Sequence, residues 1–314
     1  MLVLIPDAKT LALLMLVACT GIATAEDPTP ASLSRYARTI LEDEPVGYWT
    51  MEEKAGKQIQ NRGTTGAVLG GTLMNQVMLG QAGPRLPDYP LFNNENRALI
   101  LGKPAGWVVV SDPGERSPLD FDNGDSITIE AWINLQSLSE GQQVYILGKG
   151  RTNNPGVASD NQNYSLRMRG IEGTAHLSFL FRNADNRPGQ QNDFHRWNSK
   201  EGLILDGRWH HVAFVYRFGD PDSAHAVIDG TPGKGSWEMG GPTSKPPVVD
   251  NDELWIGSSM GGNPGCSFQG GLDEVALYRH LVPIERLARR YRAIFPDPRE
   301  AEYAAAEKLP RGTV

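Results

Sequence analysis

Three short stretches constrain this 314-residue chain more than anything else in it: 126–134 (SITIEAWIN), 208–216 (RWHHVAFVY) and 271–278 (GLDEVALY). Each alternates or runs apolar with β-branched and aromatic residues. None has the i, i+3, i+4 spacing of an amphipathic helix, so each predicts a β-strand. In the first, Ile127, Ile129, Ala131 and Ile133 point one way and Thr128, Glu130 and Trp132 the other, because side chains alternate across a strand. In the second, Trp209, His211, Ala213 and Val215 oppose His210, Val212, Phe214 and Tyr216. Both of its faces are substantially apolar, which places it centrally in a sandwich. The third sets Asp273, Val275 and Leu277 against Leu272, Glu274, Ala276 and Tyr278, and a helix is expected to follow.

Preceded by 45–53 (PVGYWTMEE) and by Ala55 and Gly56, the three stretches in this order resemble the laminin-G-like jellyroll family, in an exported bacterial form. That family has the concanavalin A-like lectin and glucanase fold. The resemblance runs from about residue 36 to about residue 295, and several spaced motifs in order are more specific than any one alone. It implies an all-β chain with two antiparallel sheets stacked as a jellyroll sandwich. Local patterns add a short helix at each end. Gly 35 and Pro 22, with aromatics at 8%, suit many short strands joined by turns.

The N-terminus reads as an export signal, with Lys9 before the apolar stretch 11–18 and the small-residue pattern Ala23-Thr24-Ala25 before Glu26. The stretch is too short to span a membrane as a helix. Residues 16–19 (LVAC) also resemble a lipobox, so two processings stay open: cleavage after Ala25, or a lipid anchor at Cys19. The expected organisation is a signal peptide at 1–25, a Pro-rich spacer at 26–33, a jellyroll domain at 34–296 and a charged tail at 297–314. The localisation expected is periplasmic, cell-surface or extracellular. Cys19 lies in the targeting segment, which leaves Cys266 as a lone thiol. A formal net charge of −7 without a run of Lys or Arg excludes the field that holds a nucleic-acid backbone.

Within the domain, Ser34 caps a helix over 35–42, and the first strand begins at Tyr48 and Trp49. Residues 61–96 read as a weakly structured sheet edge with a strand near 66–73. Strands at 98–101 and 107–110 form a hairpin around 102–106, and 120–125 is a turn. Further strands follow at 144–148, 164–169, 175–181 and 254–257. The polar segment 182–202 reads as a long surface loop and 230–247 as a rim loop. Asp229-Gly230 is a hairpin turn. Pro283 opens a helix whose apolar face carries Ile284, Leu287, Ala288 and Tyr291.

Glucanases of the fold the resemblance implies work with two carboxyls about 5–5.5 Å apart. No Glu-x-Asp-x-x-Glu is present, and Asp273 and Glu274, as strand neighbours, face opposite sides. His210 and His211 likewise point apart, one into the core and one half-exposed, so they cannot share a metal. Glu130 and Glu274 read as framework residues. No nucleophile elbow or zinc motif occurs. The chain is therefore expected to be non-catalytic.

Sugar binding needs exposed aromatic platforms with amides and charged groups beside them. Trp197 and Trp237 fall in the two expected loops, with Asn192, His195 and Arg196 near the first. Those five are the candidate ligand-binding residues, and Trp107 is a further exposed-aromatic candidate. Many members of the resembled family hold one structural calcium ion. The resemblance places Asp273 as a ligand near the N-terminal segment, with Glu52, or its neighbour Glu53, to meet it. The expected function is an exported binding module for extracellular or cell-surface carbohydrate. The alternatives are an adhesion or architectural domain for an envelope or extracellular protein, and a hydrolase or lyase whose groove would bring Glu130, Trp132 and a histidine together.

Overall fold

The computed structural model describes residues 33–183 and 193–295. The expected signal peptide, the spacer and the tail lie outside them. The strands are β1 (Gly47–Trp49), β2 (Gln58–Ile59), β3 (Gly71–Met74), β4 (Val77–Ala82), β5 (Arg97–Leu101), β6 (Trp107–Val110), β7 (Ser126–Leu135), β8 (Gln143–Gly150) and β9 (Gln162–Ile171). They continue as β10 (Thr174–Arg182), β11 (Phe194–Leu203), β12 (His210–Arg217), β13 (Asp220–Ile228), β14 (Thr231–Gly233), β15 (Gly235–Met239), β16 (Leu254–Ile256) and β17 (Gly270–Tyr278). Helix α1 (Arg35–Leu41) precedes them and α2 (Ile284–Arg292) follows.

The strands pair antiparallel into two sheets. One has eight strands in the order β14-β13-β12-β7-β17-β5-β4, with β1 also on β17; the other has nine, in the order β15-β11-β10-β9-β8-β16-β6-β3-β2. The three marker stretches become β7, β12 and β17, which lie side by side at the centre of the eight-stranded sheet. The jellyroll sandwich that the resemblance implies is the observed architecture.

Alternation decides what each sheet buries. Ile127, Ile129, Ala131 and Ile133 of β7 enter a continuous core with Leu166 and Met168 of β9 and with Phe179 and Phe181 of β10. Across the gap between the sheets, Phe179 stacks on Phe214 at 4.5 Å between ring centroids. Each such side chain contributes about 1.5–3 kcal/mol by leaving water. Two local devices were legible: Ser34 Oγ accepts from the Ala37 N–H at 2.9 Å, and Asp229 and Gly230 turn β13 into β14 with φ of 46° and 72°.

The opposite face of the eight-stranded sheet is also buried, beneath helices. Trp132 is fully enclosed. Tyr36 of α1 meets it edge-on at 5.8 Å, Phe92 at 5.4 Å and Tyr89 at 5.5 Å, while Tyr291 of α2 stacks at 5.9 Å. The indole is the hub on which both helices and the segment around residues 89–92 pack.

Several expectations are corrected. β5 and β6 are not a hairpin: β5 pairs with β4 and β17, β6 with β3 and β16, so 102–106 carries the chain from one sheet to the other. The edge 61–96 holds a short 3-10 turn at Gly66–Leu69 and then β3 and β4. Both expected loops contain strand, β11 in the first and β14 and β15 in the second. The alternation assumed for β17 fails at a bulge between Asp273 and Ala276, where Glu274 has φ of 51°. Leu272, Val275 and Leu277 enter the core, and Asp273 and Glu274 both lie buried beside each other.

Removing the hub should loosen the whole helical cover. Trp132→Ala is expected to cost about 3–5 kcal/mol, read as a lower urea midpoint.

Candidate functional site

The groups a hydrolase would need do converge, in a sealed place. On the helix-covered face, His211 Nε2 donates to Glu130 at 3.1 Å, and both are 0% exposed. Tyr278 Oη and Arg290 Nη1 donate to the other Glu130 oxygen, and Arg290 Nη2 pairs with Asp43. Burial alone would raise the Glu130 carboxyl; the Arg290 guanidinium, then His211 and Tyr278, outweigh it and bring it down to about 2. An acid held that low stays ionised and donates no proton to a leaving group. Asp273 and Glu274, which the bulge brings together, are 0% and 1% exposed. No substrate reaches either pair.

Of the two histidines, one of them expected half-exposed, His211 is fully buried and His210 is 8% exposed. It borders an open cleft of about 440 Å³ beside Ile204, Asp206 and Asp229. Its ring nitrogens bond to Asp229 at 2.7 Å and Asp206 at 3.1 Å. Burial lowers its pKa, but the Asp229 bond and charge, with Asp206, raise it overall. With both nitrogens on carboxylates, neither is left to take a proton from a nucleophile.

The expected rim site does not assemble. Trp197 lies in β11 and is 2% exposed, within the core, 5.1 Å from the Phe214 ring. The close approach is possible because residue 235 is glycine: a Cβ there would come within 2.4 Å of the Trp197 ring. His195 is 3% exposed, held by Asn183 and the Gly241 carbonyl at 2.8 Å each, and burial lowers its pKa. Trp237 pairs with Trp197 across β15 and donates its indole N–H to the Pro221 carbonyl at 3.2 Å. Asn192 lies outside the described residues. Among the described candidates only Arg196 turns outward, because it and the inward Trp197 are neighbours on one strand.

Arg196 belongs to a different assembly, the outward face of the nine-stranded sheet. There the register sets Arg167 of β9 beside Ser178 of β10, and Ser178 beside Asn198 of β11. Arg167 Nη2 donates to Ser178 Oγ at 3.1 Å, and its guanidinium lies 5.5 Å from the Tyr145 ring centroid. Trp107 and Trp255 stack at 4.7 Å farther along the sheet. Asn198 is 1% exposed, yet among the described residues neither its amide nitrogen nor its oxygen has a hydrogen-bond partner; Arg167 Nε and Arg196 Nε are likewise buried and unpartnered there. Buried polar atoms nearly always find partners, so these atoms are exceptions, as are Tyr36 Oη, Trp132 Nε1, His211 Nδ1 and Arg290 Nε on the helix-covered face among the described residues. In the sequence this row shows only as Ser165, Arg167 and Arg169 alternating with Leu166 and Met168 in a period of two.

For a metal, Asp273 and Glu52 offer hard oxygen donors, which suits calcium. Burial, then Glu274 and Glu52, raise the Asp273 carboxyl, and a buried Glu53 oxygen has no partner. Asp273 already accepts from Asn96 at 2.7 Å, and Glu52 from the Arg97 N–H at 3.3 Å. Among the described residues, no three His, Cys, Asp or Glu side chains gather at one point, so backbone or amide oxygens would complete a shell.

A family model described as the concanavalin A-like lectin/glucanases superfamily matches residues 107–284, more than half of the chain. The chain belongs to this superfamily. No curated protein matches the sequence. Among solved structures, this superfamily member is similar to the binding domain of Paraclostridial Mosquitocidal Protein 1, at 12% identity over 82% of this chain and 53% of that one, TM-score 0.55. It is similar to the receptor binding domain of botulinum neurotoxin mosaic serotype C/D (9% identity, 81% and 51% covered, TM-score 0.52). It is also similar to the binding domain of botulinum neurotoxin DC solved with rat synaptotagmin II (12%, 80% and 52%, TM-score 0.52). The chain spans about half the length of these structures, and such identities show the fold alone. The superfamily includes both lectins and glucanases, so the fold does not decide catalysis. Among the described residues, no helix is long and apolar enough to cross a membrane.

Arg290→Met strands the buried Glu130 charge and is expected to cost about 3–5 kcal/mol. Because the Glu130 pKa is depressed in the folded state, its stabilisation is present above its ordinary pKa of 4.5 and lost as pH falls towards about 2. Melting temperature should therefore drop across that window, and less steeply in Glu130→Gln.

Proposed function

We propose that this superfamily member is a non-catalytic binding module, exported from the cell, whose ligand is an extracellular or cell-surface carbohydrate. The ligand lies on the outward face of the nine-stranded sheet. The observation that carries the reading is the row of polar side chains that the register sets across this face, Arg167, Ser178 and Asn198, with the half-buried Arg196 on the same strand as Asn198. A sugar ring presents hydroxyls that donate and accept from the same atom, and an amide is their natural complement. The sealed state of Glu130, Asp273 and Glu274 supports a module without catalysis. The binding domains that share the fold lend support to binding as its use. Export rests on residues 9–25, with cleavage after Ala25 or a lipid anchor at Cys19 as the two processings.

A glycan array probed with the exported protein should show binding to at least one carbohydrate class. Asn198→Ala should weaken it about tenfold, the worth of one to two hydrogen bonds, while Ile204→Ala, at the other cleft, should leave it unchanged. Silence across the array from folded protein would sink the reading.

We infer also that one structural calcium ion is held by Asp273 and Glu52, where buried like charges would be relieved by a cation. Calcium is expected to raise the melting temperature and a chelator to reverse the rise, with no rise in Asp273→Asn.

A further inference from the structure

The open cleft beside His210 has walls of two kinds. It runs between β11 of the nine-stranded sheet and the β13–β14 hairpin of the eight-stranded sheet, with a volume of about 440 Å³, in the range of sites that enclose a small ligand or a long side chain. Leu203, Ala226 and Ile228 line its depth. The first two belong to the core of the sandwich and the third packs against it, so the cleft is a gap through which the space between the sheets reaches the surface. Ile204 stands at its mouth, 72% exposed.

The rest of the wall is charged, and its charges do not cancel. Asp206, Asp229 and Glu201 face Arg208 and His210. Two of the carboxylates are answered: Asp206 accepts from Arg208 Nε at 2.7 Å and from His210 Nε2 at 3.1 Å, and Asp229 accepts from His210 Nδ1 at 2.7 Å. An imidazole that donates from both nitrogens is protonated, so two cations balance two anions. Glu201 is left over: among the described residues its carboxylate has no hydrogen bond or ion pair. Space is kept beside it, because residue 233 is glycine and a Cβ there would come within 3.0 Å of Glu201 Oε2. A larger side chain at that point of β14 would fill the cleft.

A single unanswered carboxylate at the rim of an apolar trough is matched by a single cation at the end of an apolar stem. Lysine has that form: four methylenes that pack on hydrocarbon, and a compact ammonium that stays with its counter-ion. A free amine held in the cleft would leave Ile204 in water, whereas a main chain crossing the mouth covers it. We propose that this cleft is a second binding site, and that its occupant is a lysine side chain presented by a partner polypeptide, with the ammonium on Glu201 and the stem on Leu203, Ala226 and Ile228. β14 is the free edge of its sheet, and Pro232 removes a donor from it, so the partner is held by this side chain rather than by strand pairing. The site shares no residue with the row on the nine-stranded sheet, and the carbohydrate reading stands or falls separately.

The test is a titration of the isotope-labelled protein, followed by its amide NMR shifts, with four probes: the capped peptide Ala-Ala-Lys-Ala-Ala, the same peptide with norleucine or with Nε-acetyl-lysine at its centre, and cadaverine. The lysine peptide should shift the amides of Glu201, Leu203 and Ile228 saturably. The norleucine and acetyl-lysine peptides should bind about tenfold more weakly or worse, the worth of a charge-assisted hydrogen bond, and Glu201→Gln should cost the lysine peptide the same factor. Gly233→Leu should abolish the shifts with the melting temperature unchanged, since φ at residue 233 lies outside the left-handed region. Glu115→Gln, which removes an exposed carboxylate elsewhere, should change nothing. Ile204→Ala should weaken the peptide severalfold and leave cadaverine, the weaker ligand, as it was. Equal binding of the norleucine peptide, or indifference to Glu201→Gln, would overturn the cationic assignment. Cadaverine bound as tightly as the peptide would replace the polypeptide with a small amine, and the absence of saturable shifts from every probe at millimolar concentration would remove the site.

Discussion

The buried ion pair between Glu130 and Arg290 decides which side of this sandwich is closed. A carboxylate at the centre of a sheet face must be partnered or exposed, because an isolated charge in a dry setting is too costly. Here the partner comes from α2, and the same guanidinium reaches Asp43 just beyond α1. One arginine thus ties both helices to the sheet. Trp132 supplies the apolar half of the same contact. Because those groups are consumed in holding the cover down, the residues that look most like hydrolytic machinery are structural.

The fold was largely legible because its signals are local. Alternation in 126–134 and 208–216, the hydroxyl of Ser34 and the Asp229-Gly230 pair each act within a few residues, and each does in the structure what it suggests in the sequence. What failed depends on distant partners. Nothing near 102–106 says that β5 and β6 join different sheets; that is decided by β17 and β16, more than a hundred residues away. β11 reads as loop because its outward positions are polar, while the inward ones, His195 and Trp197, are types equally at home in a binding loop. The bulge at Asp273 depends on pairing with β7 and has no composition of its own.

The site was less legible than the fold for a related reason. Aromatic residues were sought where they would be exposed, yet a Trp in a sandwich is drawn inward by its area, and Trp197 is held there by Phe214 and by the room above Gly235. The arginines that do face outward come from two strands, β9 and β11, and the loop after β8. In the sequence they are ordinary charged residues on a strand's wet side, and only the sheet register brings Arg167, Ser178 and Asn198 into a row. Their lack of partners is a property of the folded protein alone.

The placement of the two helices has a directional consequence. The chain enters the described fold through α1 and leaves it through α2, and both lie on the eight-stranded sheet, tied to each other by Arg286 and Arg290. Entry and exit are therefore on one side of the sandwich, and the arginine-bearing face is on the other. A tether attached at either end would join the described fold on the helix-covered side and leave the nine-stranded sheet away from the point of attachment.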